Sequence, residues 1–207
     1  WCHTSDHHPW FCQSRQRRES PRADWYVWAD PKPDGGPPNN WLSVFGGPAW
    51  HWDTGRRQYY LHHFLKSQPQ LNTHHPAVVE ALLEVGRFWL ARGVDGFRLD
   101  AIDYLTHDPA LTDNPPRAVD RTPARPFLLQ RHLHDMCGTD ILPLMGRIRG
   151  LLDRYPGTFA IAEVGNDRGG LDAVERAAAY SAPDRLHSAY ILGLIERAGT
   201  ASALKAT

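Results

Sequence analysis

The sequence is poor in cysteine, has no long apolar run and carries no excess of either charge. Its 207 residues include three cysteines, Cys2, Cys12 and Cys137, none of them in a CxxC motif. A disulfide framework and a cysteine-based zinc site are therefore not expected. Lys plus Arg and Asp plus Glu both number 23, which argues against nucleic acid or a membrane surface as a partner. No segment has the length of a membrane span, and no signal peptide is recognisable.

Aromatic and turn-forming residues are abundant and are concentrated in the first third of the chain. Residues 1 to about 65 are rich in Trp, His, Pro and Gly and show little helical periodicity. The pattern predicts a short strand over Asp24–Trp28 and a small irregular β region over Trp41–Trp52 and Tyr59–Leu61, held together by aromatic packing. So much aromatic surface favours a folded subdomain over a disordered linker.

The chain changes character at Pro76, where helix and strand patterns begin to alternate. Pro76 at a first helical position, apolar residues at helical spacing and a stop at Gly93 predict a helix, which a short buried strand follows. The remaining predicted segments are a polar loop over 106 to about 126, a helix with Ile141, Leu144, Ile148 and Leu152 on one face, a strand over Thr158–Ala162 ending on Glu163, a helix over Leu171–Tyr180, a strand over Ser188–Leu194 and a helix over Ile195–Lys205. This order indicates βα units and a parallel sheet.

Two carboxylates stand where successive predicted strands end. Arg98 and Asp100 are two residues apart in an extended segment, so their side chains share one face, and the guanidinium would keep Asp100 ionised. Glu163 ends the next strand, and in a (β/α) barrel such strand ends meet at the face where catalytic residues gather. Taken singly, either carboxylate is more often a cap or a surface residue. Together they suit retaining glycoside hydrolysis, in which one attacks the anomeric carbon and the other protonates the leaving oxygen.

The same residues match motifs of a known family. Gly96-Phe97-Arg98-Leu99-Asp100 matches the G-F-R-x-D motif of glycoside hydrolase family 13, the α-amylase family, and Ile161-Ala162-Glu163-Val164 resembles the segment that carries its general acid/base. His3-Thr4-Ser5-Asp6 with His8-Pro9-Trp10-Phe11 resembles a segment of its α-glucosidase and oligo-1,6-glucosidase branch. Further stretches that follow the branch are Asn40–Trp50, Tyr59–His62 and Gln68–Asn72. The similarity extends over nearly the whole chain, with the motifs in the family's order.

The resemblance implies an α/β fold class: a fragment of a TIM (β/α)8 barrel with a small irregular β-rich subdomain, domain B, inserted into it. Residues 1–3 would end barrel strand three, residues 4–65 would form domain B, and residues 66–207 would run from helix three to about helix six. The barrel would be incomplete, and the family's third carboxylate, in a later NHD segment, lies outside this sequence. We therefore expect little or no activity from residues 1–207 alone.

The resemblance also implies roles for individual residues. Asp100 would be the nucleophile, Glu163 the general acid/base, and Arg98 the partner of the nucleophile. The substrate would be a short α-linked gluco-oligosaccharide, such as a maltose-type sugar. No cofactor, nucleic acid or membrane is implied, and the location would be cytoplasmic.

Three further residues match substrate-binding positions of the branch. His3 would hydrogen-bond the glucose unit that is cleaved. Phe45 and Phe64 match aromatic positions that line its pocket, and simple packing within the small subdomain explains both phenylalanines equally well. Ala101 follows the nucleophile where valine tends to accompany α-1,6 preference, which favours α-1,4 or mixed linkages.

Two positions depart from the branch, and two alternative functions stay open. Cys2 stands where the family usually has Asn or Ser, and Gln70 replaces an Asp. A transglucosidase would use the same two carboxylates, so the sequence does not separate it from a hydrolase. A non-catalytic relative used for binding is the alternative from another class; such relatives typically lose a catalytic carboxylate, whereas Asp100 and Glu163 are both present.

No metal site is predicted. The twelve histidines lack zinc-site spacing with Cys or Glu partners. Asp108, Asp113 and Asn114 could offer oxygen ligands to calcium, but the spacing of an EF-hand is absent, which favours a solvated or substrate-lining loop.

Overall fold

The protein is described by a computed structural model over residues 1–119, 122–165 and 170–192. Within them the helices are α1 (Pro9–Gln16), α2 (Pro76–Leu90), α3 (Ile141–Leu152) and α4 (Gly170–Tyr180), and the strands are β1 (Trp28–Ala29), β2 (Trp50–Asp53), β3 (Gln58–Leu61), β4 (Gly96–Leu99), β5 (Phe159–Val164) and β6 (Ser188–Ile191). The chain divides into a first unit, residues 1–80 and 104–139, and a second unit, residues 81–103 and 140 onward. No helix of the described residues is long and apolar enough to cross a membrane.

The first unit is built on a small antiparallel sheet in the order β1-β3-β2. Its core brings together the buried residues Val27, Trp41, Ala49, Trp50 and Leu61. A second group of rings surrounds Phe11, whose centroid lies 5.0–5.8 Å from the rings of Tyr26, Tyr60 and Trp28. The prediction of a small irregular β region held together by aromatic packing is confirmed.

Helix α1 was not expected from the sequence, because capping rather than apolar periodicity starts it. Pro9 occupies the first turn, and the His8 ring nitrogen Nδ1 accepts a hydrogen bond from the Trp10 amide at 3.2 Å. The strand predicted over Asp24–Trp28 is wrong for most of its length. Ala23–Trp25 forms a 3-10 turn, and β1 begins only at Trp28.

The long loop predicted over 106 to about 126 is present in the described residues and is anchored within the first unit. Asn39 Nδ2 donates to the Leu111 carbonyl at 3.0 Å, and Trp41 Nε1 donates to the Thr112 carbonyl at 2.8 Å. These bonds satisfy backbone carbonyls that helix or sheet ladders would otherwise satisfy, so the loop is ordered by side chains.

The second unit contains a parallel sheet in the order β4-β5-β6, as the alternation of helix and strand patterns predicted. The predicted apolar face of α3 is confirmed, since its four residues Ile141, Leu144, Ile148 and Leu152 are all buried. Helix α4 and strands β5 and β6 also confirm their predicted segments. Leu194 and the helix predicted over Ile195–Lys205 lie outside the described residues.

The start of β4 explains why its motif begins with glycine. Gly96 has φ +144°, and a Cβ at this position would collide with the carbonyl oxygen of Phe159 on β5. Only glycine allows this close approach without displacing the neighbouring strand. The observed pairing of Gly96 with Phe159 therefore requires glycine at position 96.

The expectation that β4 is a buried strand is wrong. Arg98 is exposed, Gly96 and Phe97 are half-buried, and only Leu99 is buried. In the described sheet β4 is an edge strand that pairs with β5, so one of its sides stays open. The described residues form a mixed α/β structure and no closed barrel.

Candidate active site

The register of the parallel sheet brings the two predicted carboxylates to the same edge. Leu99 on β4 pairs with Ala162 on β5. The residue that follows each of them, Asp100 and Glu163, therefore stands at the carboxyl end of its strand. Glu163 in turn pairs with Tyr190 on β6. Side chains at the carboxyl ends of adjacent parallel strands converge on one face, which is where α/β proteins bind ligands.

One guanidinium connects both carboxylates. Arg98 Nη1 donates to Oδ1 of Asp100, and Arg98 Nη2 donates to Oε2 of Glu163. The side chains of Arg98 and Asp100 are 47% and 62% exposed, whereas that of Glu163 is 14% exposed. The contact predicted between Arg98 and Asp100 is present, and Arg98 also reaches the second carboxylate.

Tyr190 belongs to this cluster and was not identified from the sequence. Its hydroxyl lies 2.7 Å from Oε2 of Glu163, 3.0 Å from Nε of Arg98 and 2.8 Å from Nη2 of Arg98. The only available signal was a tyrosine near the end of a predicted strand. Its partner on β5 depends on strand register, which the sequence does not state.

The surroundings hold the protons of Arg98 and Tyr190 firmly. The hydrogen bond to the Tyr190 hydroxyl, together with Asp100 and Glu163, raises the pKa of Arg98. Partial burial, followed by the hydrogen bond to Glu163, raises the pKa of Tyr190. The cluster therefore combines a guanidinium and a phenol that both hold their protons with two carboxyl groups.

A buried network ties together the segments that follow β4 and β5. Asp103, whose side chain is 3% exposed, accepts hydrogen bonds from the Gly165 amide at 2.9 Å and the Tyr180 hydroxyl at 2.8 Å. Arg176 pairs with Asp103, at 3.3 Å from its Nε, and donates to the Gly165 carbonyl at 2.6 Å. No local sequence pattern indicated this network. It limits how far the two strand ends can move apart.

Ala101, the residue after Asp100, adopts a left-handed backbone conformation with φ +47°. This conformation costs an alanine roughly 1–2 kcal/mol. Strained residues of this kind persist where their surroundings hold them, and they cluster at functional sites.

The three predicted substrate-binding residues are brought together within the first unit. The His3 and Phe64 ring centroids are 5.6 Å apart, and those of Phe45 and Phe64 are 5.9 Å apart. Phe45 is 62% exposed, so packing within the small subdomain does not explain this phenylalanine. Cys2 Sγ lies 3.3 Å from His3 Nδ1, so the residue that departs from the branch is itself a partner of the histidine.

Gln70, the other departure from the branch, is a buried structural residue. Its Nε2 donates to the Tyr104 carbonyl at 2.7 Å, and its Oε1 lies 3.0 Å from His63 Nδ1. The other His63 nitrogen faces the Asp135 carbonyl at 2.7 Å, and complete burial lowers the pKa of this histidine. An aspartate at this position could not donate to the Tyr104 carbonyl.

The side chains that were considered as calcium ligands are used to shape the long loop. Asp108 accepts from the Thr112 hydroxyl and the Ala110 amide, and these bonds lower its pKa. Asp113 accepts from the Asn40 amide, and Asn114 Oδ1 accepts from the amides of Leu133 and His134. Across the part of the chain that the structure describes, no group of three or more His, Cys, Asp or Glu is placed to hold a metal ion.

Comparison with known proteins gives consistent matches. The family described as alpha amylase, catalytic domain, matches residues 1–167. A probable alpha-glucosidase of Rhizobium meliloti (strain 1021) is 52% identical over 195 residues, which are 91% of this chain and 35% of that protein. An oligo-1,6-glucosidase of Heyndrickxia coagulans is 49% identical over 104 residues, 50% of this chain and 19% of that protein.

Solved structures agree with these matches. The alpha-glucosyl transfer enzyme XgtA has a TM-score of 0.94 and 46% sequence identity with this chain, and the match covers 99% of this chain and 39% of XgtA. The chain therefore spans well under half the length of the relatives that it matches.

Proposed function

The chain belongs to the α-amylase family, glycoside hydrolase family 13, and from this premise we propose that it supplies the reacting carboxylates of a retaining α-glucosidase. Its relatives are named alpha-glucosidase and oligo-1,6-glucosidase. The observation that carries the proposal is the guanidinium of Arg98, which binds Asp100 and Glu163 at the ends of two adjacent strands.

In the proposed reaction Asp100 attacks the anomeric carbon while Glu163 protonates the glycosidic oxygen. A covalent glucosyl-enzyme forms, and Glu163 then removes a proton from the water that hydrolyses it. Retaining enzymes need their two carboxyl groups about 5–5.5 Å apart. Two carboxylates that bind the two terminal nitrogens of one guanidinium suit such close spacing. The greater exposure of Asp100 suits attack on a substrate, and the shelter around Glu163 suits proton transfer.

We propose short α-linked gluco-oligosaccharides as substrates, with α-1,4 or mixed linkages. His3 would hydrogen-bond the glucose unit, and the rings of Phe45 and Phe64 would offer apolar surface to its CH groups. A cytoplasmic location is proposed as well, since the three cysteines of the sequence show no disulfide pattern.

A transglucosidase is the second candidate, and the match to an alpha-glucosyl transfer enzyme favours it specifically. Both reactions pass through the same glucosyl-enzyme and differ in whether water or a sugar hydroxyl accepts the glucosyl group. Product analysis with an added acceptor alcohol separates them, because only transfer yields a new glucoside.

The test uses the protein expressed from its gene in full, assayed on p-nitrophenyl α-glucoside and maltose. Asp100→Asn and Glu163→Gln are each expected to lower kcat for maltose by several orders of magnitude, on the order of 10⁴-fold. The exposed residues Asp153 and Glu175 provide matched controls, Asp153→Asn and Glu175→Gln. Residues 1–207 alone are expected to show little or no activity.

The outcomes separate the candidates. Active variants would show that the site assignment is wrong. An inactive parent protein that still binds maltose would favour the non-catalytic relative.

A further inference from the structure

The hydrogen-bonding capacity of the Tyr190 hydroxyl decides where its proton lies. A guanidinium can only donate, so the two contacts from Arg98 Nε and Nη2 use the lone pairs of the phenol oxygen. The single phenol proton is then left for Oε2 of Glu163, at 2.7 Å. The raised pKa of Tyr190 keeps this proton in place at neutral pH. The hydroxyl therefore uses all of its hydrogen-bonding capacity, and its proton points towards Glu163.

The same contacts make the two oxygens of Glu163 unequal. Oε2 accepts from Tyr190 and from Arg98 Nη2. Within the described ranges, no hydrogen bond to Oε1 is found. A carboxyl proton avoids an oxygen that already accepts from two donors, one of them cationic, because the proton would face both. Oε1 is thus the oxygen left to carry a proton.

Resting on the proposed function, we propose that Tyr190 is a positioning residue that fixes Oε2 of Glu163 and directs the acid proton to Oε1. It acts through Glu163 and Arg98 rather than on the sugar. Arg98 from β4 hydrogen-bonds to Glu163 and to Asp100, which follows β4, and Tyr190 from β6 hydrogen-bonds to Arg98 and Glu163. Of these groups it alone is a neutral donor, so it can orient the acid without changing the charge of the site.

The strand register makes this arrangement specific. Tyr190 is the residue of β6 that pairs with Glu163, so the register of the sheet places the hydroxyl next to the carboxylate. Arg98 Cζ lies 5.9 Å from the Tyr190 ring centroid, so the ring also restricts the guanidinium. Phenylalanine would keep the ring and the strand pairing while removing the hydroxyl.

The test compares Tyr190→Phe with the control Tyr155→Phe in the protein expressed from its gene in full. Tyr155 precedes β5 and so lies at the opposite end of this strand from Glu163. For maltose, whose leaving sugar needs a proton, Tyr190→Phe should lower kcat about 10- to 100-fold with little change in KM, as expected for one hydrogen bond to a charged group. For α-glucosyl fluoride, whose fluoride needs less acid assistance, the loss should be clearly smaller. The ratio of the two losses does not depend on the folded fraction of the preparation.

The pH dependence supplies a readout that a merely structural role would not move. A hydrogen bond that stabilises the charged carboxylate is lost in Tyr190→Phe, so the alkaline limb of kcat/KM for maltose should move to higher pH. Equal losses on both substrates with an unmoved limb would overturn the proposal, as would activity equal to that of Tyr155→Phe.

A measurement without turnover separates this inference from the proposed function. The Glu163 carboxyl can be followed by carbon-13 NMR in labelled protein, and its titration midpoint should rise in Tyr190→Phe and stay in place in Tyr155→Phe. A rise in a protein that hydrolyses neither substrate would support the positioning contact and refute the α-glucosidase. An unmoved midpoint would overturn the positioning role whatever the activity.

Discussion

One polar cluster in each unit of this chain shows how differently polar groups can be placed. The first unit buries histidines and amides, as with His63 and Gln70, whose side chains contact each other and backbone carbonyls. The second unit gathers a cation and two carboxylates at strand ends, where Arg98 and Asp100 remain about half exposed. Buried neutral groups fix a shape at low desolvation cost, whereas charges kept near water can change partners during a reaction. The contrast indicates that the cluster around His63 holds a fixed shape, whereas the cluster around Arg98 keeps its charges where the proposed reaction needs them.

Acid should act on the first unit, and this is the largest expected effect. Burial lowers the pKa of His107 from 6.5 to about 3, and burial also lowers the pKa of His62 and His63. Below about pH 6.5 the unfolded chain therefore binds more protons than the folded one. The contribution of these histidines to the free energy of unfolding is complete above about pH 6.5 and is lost progressively towards pH 3. For His107 alone the loss is on the order of 5 kcal/mol at the acid limit.

Tryptophan fluorescence and limited pepsin digestion can check this expectation. Within residues 1–207 all tryptophans except Trp89 lie in the first unit, so their fluorescence reports mainly on it. The first cleavages within these residues should map to 1–80 and 104–139. His107→Gln should flatten the pH dependence, whereas His7→Gln, at a 94% exposed side chain, should not. First cleavages in the second unit would contradict the expectation that acid destabilises the first unit before the second.

A methyl group at Gly96 should disrupt the second unit more than any change to its charges. Gly96→Ala adds a Cβ against the Phe159 carbonyl at φ +144°, so overpacking and backbone strain should together lower the free energy of unfolding by more than about 3 kcal/mol. The matched control is Gly150→Ala near the end of α3, where nothing lies within 4 Å of the added Cβ. There alanine should stabilise by roughly 0.5–1 kcal/mol, because it favours the helix.

Urea unfolding of the two variants measures both effects. If Gly96→Ala were as stable as Gly150→Ala, the close approach of β4 and β5 would be refuted, and with it the register that places Asp100 beside Glu163.

The sequence predicted what local patterns and motifs determine. The apolar face of α3, the helix starting at Pro76 and the strands around Arg98 and Glu163 follow from periodicity and punctuation. Other features depend on what a residue meets across space. Helix α1 starts on the His8 cap, a residue type that is uncommon there, and the exposure of β4 follows from its place at the edge of the described sheet.

The candidate site divides in the same way. Its motif residues Arg98, Asp100 and Glu163 were identified from the sequence, although their catalytic roles remain proposals. Tyr190 and Asp103 were missed, because their contacts are 27 to 92 residues away in the chain for Tyr190 and 62 to 77 for Asp103. Contacts of that separation are set by register and topology, which no local pattern encodes.

The smallest expected effect comes from placing a carboxylate beside His63 in the first unit. Gln70→Asp restores the residue usual in the branch beside His63, and Gln70→Asn is its isosteric neutral control. Both variants shorten the side chain by one methylene and disturb the bond to the Tyr104 carbonyl, so the difference between them isolates the charge. At about pH 8 the introduced carboxylate faces a neutral, buried His63, and Gln70→Asp should be the less stable of the two by roughly 1 kcal/mol.

The sign of this difference should reverse on acidification. Both nitrogens of His63 face acceptors, so a protonated ring can satisfy both at once, and a carboxylate beside it stabilises that form. Between about pH 6.5 and pH 4 Gln70→Asp should therefore become the more stable variant, until the introduced carboxylate is itself protonated. Urea unfolding of both variants across this range measures the crossing. If the stabilities of the two variants changed in parallel with pH, His63 would stay neutral whatever residue stands beside it. The neutrality of His63 would then follow from its burial alone and not from the neutral side chain of Gln70.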